Sequence, residues 1–216
     1  MHRIYINDVP YKVNHPMEII RAFWVFDNSF LEYDLKKVTT FIEAVETAPK
    51  IATRINAELL RNCFPEDKRK MISTKIEHIP NEELVDMDDK KWLQTKNDIT
   101  ELILYTLCKN VRISRATKIL HKLRPGLIPI LDEKMIQKKI YETSEPGRLL
   151  DLIRNDIRKS QKLLKSLKKE IYSREKISLS TTRIFDILLW TYAQETIILE
   201  NNKIKDGITS YFYDAL

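Results

Sequence analysis

The chain has 216 residues, of which 43% are hydrophobic, so it can bury one substantial core without help from disulfides or metals. Its 3 glycines argue against Gly-rich phosphate loops and against an all-β fold, because both use glycine at tight turns. The first residues lack the apolar core of a signal peptide, and no apolar run approaches the roughly 18 residues of a membrane span. These features predict a cytoplasmic protein with no membrane partner.

The net charge of +6 is unevenly distributed along the chain. Residues 1–100 carry 15 basic and 17 acidic side chains, residues 101–176 carry 19 and 9, and residues 177–216 carry 3 and 5, which gives net charges of −2, +10 and −2. A concentrated positive charge predicts a face that binds a polyanion, because each neutralised phosphate releases condensed counterions. The alternative is that these lysines and arginines only solvate exposed helix faces.

The two cysteines give no sign of a metal site. Cys63 and Cys108 lie 45 positions apart, with no Cys-x-x-Cys motif and no paired histidines nearby. This spacing supports neither a disulfide framework nor a zinc or iron–sulfur site. We therefore expect no metal and no cofactor.

Hydrophobic periodicity predicts an all-α protein whose N terminus forms a short β-hairpin or an extended arm. Ile4 and Ile6 alternate with polar residues before the turn Asn7-Asp8, which is typical of a hairpin. A first helix is then predicted from Pro16, a second from Asp34 to Pro49, and a third through Ile51, Ile55 and Leu59. A fourth lies within 65–90, with a loop around Pro80. A fifth begins at about Asp89, with Leu93, Ile99 and Leu107 facing inward.

Residues 149–171 predict a basic amphipathic helix. Its apolar positions recur every three or four residues, at Leu150, Ile153, Ile157, Leu164, Leu167 and Ile171. Its charged face is either simply solvated or part of a polyanion surface. Ser180 is the predicted cap of a last, buried helix. Because no linker divides the chain, we expect residues 1–216 to form a single helical domain, either one body or two lobes with a cleft near Asp132.

The segment 108–141 predicts a turn, a helix from about Ser114, a proline-bracketed loop and a helix that opens at Asp132. Pro125 and Pro129 disfavour the α conformation in the residue before each, so Asp132 follows an extended connector. An aspartate at a helix start has two interpretations. It caps the helix by accepting a backbone N–H bond, or it is a reactive carboxylate at the mouth of a basic cleft.

The residues from Asn110 to Asp132 also carry a resemblance. Asn110-Val111-Arg112 precedes Ala116, and Pro129-Ile130-Leu131-Asp132 ends the window. This arrangement resembles the helix-hairpin-helix DNA glycosylase superfamily, whose pattern runs from Leu-Pro-Gly-Val-Gly through Thr-Ala and a helix to a catalytic aspartate. The adenine-removing mismatch glycosylases of that superfamily end theirs in Pro-Ile-Leu-Asp. The resemblance implies a helix-hairpin-helix glycosylase-like fold of many helices, DNA as partner, and Asp132 as the catalytic residue.

The departures from that pattern refine what the resemblance implies. Asn110 and Arg112 replace both hairpin glycines, and only asparagine tolerates the left-handed conformation well. The hairpin therefore has altered geometry, or Arg112 contacts phosphate through its side chain. Ser114 stands where bifunctional members carry a Schiff-base lysine, so the resemblance implies monofunctional base excision without a lysine adduct.

The same resemblance implies a set of nucleic-acid-binding residues: Asn110, Arg112, Ser114, Arg115, Lys118, Lys122 and Arg124. Helical phase places Arg115, Lys118 and Lys122 on one face. His121, beside that face, is either an acid–base group or incidental. Aromatic residues that could line a pocket for an extruded base, or else belong to the core, are Trp24, Phe26, Tyr33 and Trp92.

Residues 123–132 and the apolar helix 182–192 also resemble an uncharacterised bacterial family with the signature Lys-Arg-Pro-x-Leu-Ile-Pro-x-x-Asp, which names no activity. Three functions stay open at this point: a monofunctional DNA N-glycosylase, a non-catalytic nucleic-acid-binding protein on the same scaffold, and a helical adaptor that binds an acidic protein. No prediction of oligomeric state follows from the sequence.

Overall fold

The computed structural model describes residues 3–26, 28–47 and 57–202. Within these residues the elements are β1 (Arg3–Ile6), β2 (Val9–Lys12), α1 (Pro16–Phe26), α2 (Asn28–Leu35), α3 (Phe41–Thr47), α4 (Ala57–Asn62), α5 (Glu66–Glu77), α6 (Asp89–Thr106), α7 (Ile113–Leu123), a π-helix (Glu133–Ile140), α8 (Pro146–Glu175) and α9 (Thr181–Asn202). The predicted all-α class with one short N-terminal hairpin is confirmed. No helix in these ranges combines the length and apolarity needed to cross a membrane.

The N-terminal hairpin packs against α8. Its strands pair antiparallel, with Ile6 opposite Val9, and the turn residues Asn7 and Asp8 have φ angles of 48° and 66°. Two positive φ angles in succession are what a tight hairpin turn requires. The carboxylate of Asp156, on α8, accepts the main-chain N–H groups of Asn7 and Asp8 at 2.6 and 3.1 Å. The buried Asp156 therefore helps to attach the hairpin to the helical body, together with Ser160, which accepts the N–H of Tyr5 at 2.8 Å.

Helices α8 and α9 supply much of the core. The predicted apolar stripe of α8 is confirmed, since Leu150, Ile153, Ile157, Leu164, Leu167 and Ile171 are all buried. The predicted cap of α9 is also confirmed, because the Ser180 hydroxyl accepts the N–H of Arg183 at 3.0 Å. Leu93 was predicted to face inward from α6, and this is wrong, because it is 60% exposed.

The single helix predicted from Asp34 to Pro49 is also wrong. Helix α2 ends at Leu35 and α3 begins at Phe41. The Glu43 carboxylate accepts the N–H groups of Thr39 and Thr40 at 2.8 and 3.0 Å, and the Thr40 hydroxyl accepts the N–H of Glu43 at 3.3 Å. This reciprocal capping box starts a new helix despite the continuous apolar period. Residues 48–56, which include Ile51 and Ile55, lie outside the described residues, as does the tail from 203.

Candidate nucleic-acid interface

A short hairpin joins α6 to α7. Cys108 and Val111 exchange two main-chain hydrogen bonds, of 3.1 and 2.9 Å, across its turn. Asn110 does not have a positive φ angle, and Arg112 is extended, with φ −83° and ψ 175°. Neither position therefore needs glycine in this chain. This tight connection joins the two helices, and α7 begins at Ile113, one residue before the predicted start.

Asp132 is the N-cap of the π-helix. Its backbone is extended, with φ −75° and ψ 123°, and its carboxylate oxygen Oδ1 accepts the N–H of Met135 at 2.8 Å. Both the extended connector and the helix start are confirmed. The helix is π rather than α, since the N–H of Gln137 donates to the carbonyl of Asp132 at 3.0 Å, five residues back. π-Helices are rare in proteins, and those that occur are often found at functional sites.

Buried side chains fix the connector that leads to Asp132. The Thr117 hydroxyl accepts the N–H of Leu131 at 3.0 Å, and Asp186, on α9, accepts the N–H of Ile130 at 3.1 Å. The sequence interpretation missed both residues. The visible sign was an aspartate within the strongly apolar run Ile184–Leu189, because a polar group in such a run must find a buried partner.

The beginning of the same loop contacts α9 and the segment before α6. The carbonyl of Gly126 accepts the Thr182 hydroxyl at 2.6 Å and the N–H of Leu84 at 2.8 Å. A Cβ on Gly126 would lie 2.3 Å from the carbonyl oxygen of Glu82, so no larger residue fits without moving the backbone. Glycine is therefore required here by a close approach of two chain segments.

A buried ion pair lies behind this loop. The Arg183 guanidinium donates to Asp34 through Nε at 2.7 Å and Nη2 at 3.2 Å, and the two side chains are only 5% and 2% exposed. Trp24 donates its indole N–H to the same carboxylate at 2.9 Å. Asp186 is a second buried carboxyl beside a single cation, and burial raises its pKa to about 8. It is therefore mostly protonated at neutral pH, and the ion pair of Arg183 is formed with Asp34.

The structure places His121 in the core, 2% exposed, which favours an incidental role over an acid–base one. Burial, together with the charge of Arg183, lowers its pKa to about 3. Its Nδ1 lies 2.6 Å from the carbonyl oxygen of Ile128, and a carbonyl only accepts, so the neutral ring donates from Nδ1. Trp24, Tyr33 and Trp92 are buried core residues, and the side chain of Phe26 lies outside the described residues.

Arg112 and Lys118 lie beside Asp132 or its neighbour Glu133, and Arg115 lies on the same helix as Lys118. Arg112 donates to Glu133, the next residue after Asp132, at 2.7 Å, and its side chain is 73% exposed. Arg115 donates to the carbonyl of Asn110 at 2.7 Å. Burial lowers the pKa of Lys118 and the nearby charge of Asp132 raises it, so these two groups interact. Ser114 is half-buried on the same helix.

The other two predicted cations contact main-chain carbonyls elsewhere. The Lys122 ammonium donates to the carbonyls of Tyr33 and Lys36 at the end of α2. The Arg124 guanidinium donates to the carbonyls of Ile79 and Ile76 at 2.8 and 2.7 Å, at the end of α5. Cations at helix C-termini donate hydrogen bonds to the last carbonyls, which have no partner within the helix, and interact favourably with the helix dipole. Both side chains therefore stabilise the C-terminal ends of helices, Lys122 that of α2 and Arg124 that of α5.

The remaining positive charge is concentrated around the hairpin. Residues 109–139 carry 9 basic and 2 acidic side chains, and 7 basic ones remain when Lys122 and Arg124 are set aside. We call residues 109–118 together with 132–139 the hairpin face. Within the hairpin face, Arg112 and Lys138 both pair with Glu133. The basic side of α8 is largely paired with acids as well, through Arg154 and Arg158 with Asp89, Lys159 with Asp8, Lys165 with Asp86 and Lys168 with Glu83.

In the described ranges, no three His, Cys, Asp or Glu side chains cluster as metal ligands would. The cleft predicted near Asp132 between two lobes stays a prediction.

Comparison with known protein families identifies the family of this chain. A model of a family of unknown function (DUF6308) matches residues 47–193, more than half of the chain, and the matched range contains the hairpin, Asp132 and the start of α9. The chain belongs to this family. No curated protein and no solved structure matches it. The resemblance to helix-hairpin-helix glycosylases therefore stays a prediction.

Proposed function

We propose that this protein binds DNA through the hairpin face and removes a base with Asp132 as the catalytic carboxylate, without a lysine adduct. The main support for the proposal is the position of Asp132. It lies at a helix N-terminus, on a connector fixed by Thr117 and Asp186, beside Arg112 and Lys118. A carboxylate held rigidly next to a cationic surface is what charge stabilisation on bound DNA requires.

The binding part of the proposal rests on the geometry around Arg112. Its guanidinium is exposed, and its partner Glu133 can be exchanged for a phosphate, which accepts two parallel N–H bonds. Arg112 is also the N-cap of α7 and offers no side-chain acceptor to the first N–H groups of that helix. Such N–H groups bind phosphate oxygens readily. These contacts would position the protein on DNA without reading its sequence.

The chemical part follows from the bond to be broken. Cleavage of an N-glycosidic bond builds positive, oxocarbenium-like charge on the sugar, and an oriented carboxylate lowers the energy of that state. Asp132 would face this charge and help to position the attacking water. The base must first leave the stack and enter a pocket. Because Ser114 cannot form a Schiff base, the reaction would end with an abasic site and an intact strand.

A second candidate function is DNA binding without chemistry. It is favoured by the hydrogen bond from Met135 to Asp132, since a carboxylate used as a helix cap needs no further role. The third candidate, an adaptor for an acidic protein, shares the cationic face but makes no phosphate contacts. The salt dependence of DNA affinity separates it from the first two.

Removing exposed cations from the hairpin face tests DNA binding. Lys109 and Arg112 are exposed, so replacing both with alanine should leave stability within about 1 kcal/mol. Each lost phosphate contact reduces the slope of log affinity against log salt by about 0.9, so the double variant should lose nearly 2 from the wild-type slope. Anisotropy titrations of a labelled duplex over several salt concentrations measure this.

Lys162→Ala is the matched control for that experiment. Lys162 is exposed on α8, one turn from Arg158, which pairs with Asp89 at the N-terminus of α6. The hairpin follows the other end of this 18-residue helix, about 27 Å away. The control should keep the wild-type slope. A wild-type affinity that does not change with salt, or an equal loss in the control, would contradict binding through the hairpin face.

A further inference from the structure

The two cysteines, although 45 positions apart in sequence, lie side by side in the fold. Cys63 follows α4 and Cys108 begins the α6–α7 hairpin, and both are half-buried. Their thiol groups are in hydrogen-bonding contact, and burial followed by this contact raises the pKa of the Cys63 thiol. Sequence spacing alone gave no indication of this pair.

Other contacts hold the same two segments together without the sulfur atoms. The Lys68 ammonium donates to the carbonyl of Leu107, the neighbour of Cys108, at 2.9 Å. It also lies 5.5 Å from the ring centre of Phe64, the neighbour of Cys63. Asn110 donates hydrogen bonds from its main chain and side chain to the sulfur of Cys63. The thiols therefore meet at a place where the fold itself joins the hairpin to the turn after α4.

We propose that Cys63 and Cys108 are a modification site that forms a reversible intramolecular disulfide by exchange with a small oxidised thiol of the glutathione class. The two thiol groups are already in hydrogen-bonding contact, so forming the bond requires a shift that closes the sulfur atoms to about 2.05 Å. Both cysteines lie in non-helical segments, a turn and a hairpin, which can accommodate that shift. This inference does not depend on DNA binding.

The exchange has two balanced steps. One protein thiolate attacks a sulfur of the small disulfide, whose S–S bond breaks and releases one small thiol, leaving a mixed disulfide. The second protein cysteine, after losing its proton, attacks the protein sulfur of that mixed disulfide and releases a second small thiol. Two protein thiols are thereby oxidised, one small disulfide is reduced, and both protons end on the released thiols.

Peptide mapping tests the proposal. Folded, reduced protein is incubated with oxidised glutathione, quenched with an alkylating reagent in acid and digested with trypsin. The expected product joins peptide 62–68 to peptide 97–109, and a dithiol reductant separates them again. The bond closes a loop around residues 64–107, 44 in number, so the thermal midpoint of the oxidised protein should rise by at least about 5 °C.

Cys63→Ser and Cys108→Ser are the matched controls, because each leaves one thiol that has no resolving partner. Each single variant should accumulate a stable mixed disulfide, whereas the wild type should pass through that species without accumulating it. The proposal is overturned if the wild type also stops at the mixed disulfide or links only between molecules. A thermal midpoint that stays unchanged or falls on oxidation would likewise overturn it, since the bond would then not fit the native fold.

Discussion

Replacing Arg183 with methionine is expected to destabilise the protein by about 3–5 kcal/mol. The substitution leaves the Asp34 carboxylate buried without a cation, and its side chain is only 2% exposed. The nearby Asp186 cannot neutralise Asp34, because an aspartate carries no positive charge; burial raises the pKa of Asp186 to about 8. Urea unfolding at neutral pH measures the effect as a lower midpoint with an unchanged slope.

Arg21→Met is the control for the buried pair. Arg21 forms an ion pair with Glu175 at the surface, and its side chain is 45% exposed. Exposed pairs contribute about 0–1 kcal/mol, so this variant should unfold close to the wild-type midpoint. If Arg183→Met lost no more stability than Arg21→Met, the buried Asp34–Arg183 pair would not be a major contributor to the stability of the fold.

Gly126→Ala should give the second large effect, a loss of about 3 kcal/mol. The added Cβ would lie 2.3 Å from the carbonyl oxygen of Glu82, and both sides of this contact are backbone. Relief requires the loop to move away from Thr182 and Leu84, which lengthens the hydrogen bonds to the Gly126 carbonyl. Thermal or urea unfolding of the variant measures the loss.

Gly147→Ala is the matched control for the loop glycine. Gly147 lies in the first turn of α8, and a Cβ there would meet the Thr100 hydroxyl at 3.4 Å, an ordinary contact. Alanine also favours the helix over glycine by up to about 1 kcal/mol. The control should therefore match or slightly exceed wild-type stability. Equal losses in the two variants would show that the close approach at Gly126 is not the cause.

Local patterns predicted much of this fold. The apolar stripe of α8 follows from the 3.6-residue period of a helix with one buried side. The extended approach to Asp132 follows from the steric effect of Pro125 and Pro129 on the residues before them. The break between α2 and α3 could also have been predicted, since Thr40 and Glu43 have the spacing of a capping box.

Tertiary contacts could not be predicted from the sequence. Asp34 and Arg183 are 149 positions apart, and nothing local to either residue indicates the other. The same holds for Cys63 and Cys108. Helical phase groups Lys122 with Arg115 on one face of α7, but phase does not show which neighbouring helix lies over each end of that face. The end of α2 lies over Lys122 and takes its ammonium group.

An excision assay with Asp132→Asn tests the central proposal most directly. Asparagine is as good an N-cap as aspartate, so the variant should stay folded and lose only the negative charge. Both proteins would be incubated in single turnover with duplexes that contain uracil, 8-oxoguanine pairs, hypoxanthine or alkylated bases, then treated with hot alkali to cut at abasic sites. We expect wild-type product on at least one duplex and a rate at least about 100-fold lower for Asp132→Asn. Equal rates for the two proteins, or no wild-type product on any duplex, would contradict a catalytic role for this carboxylate.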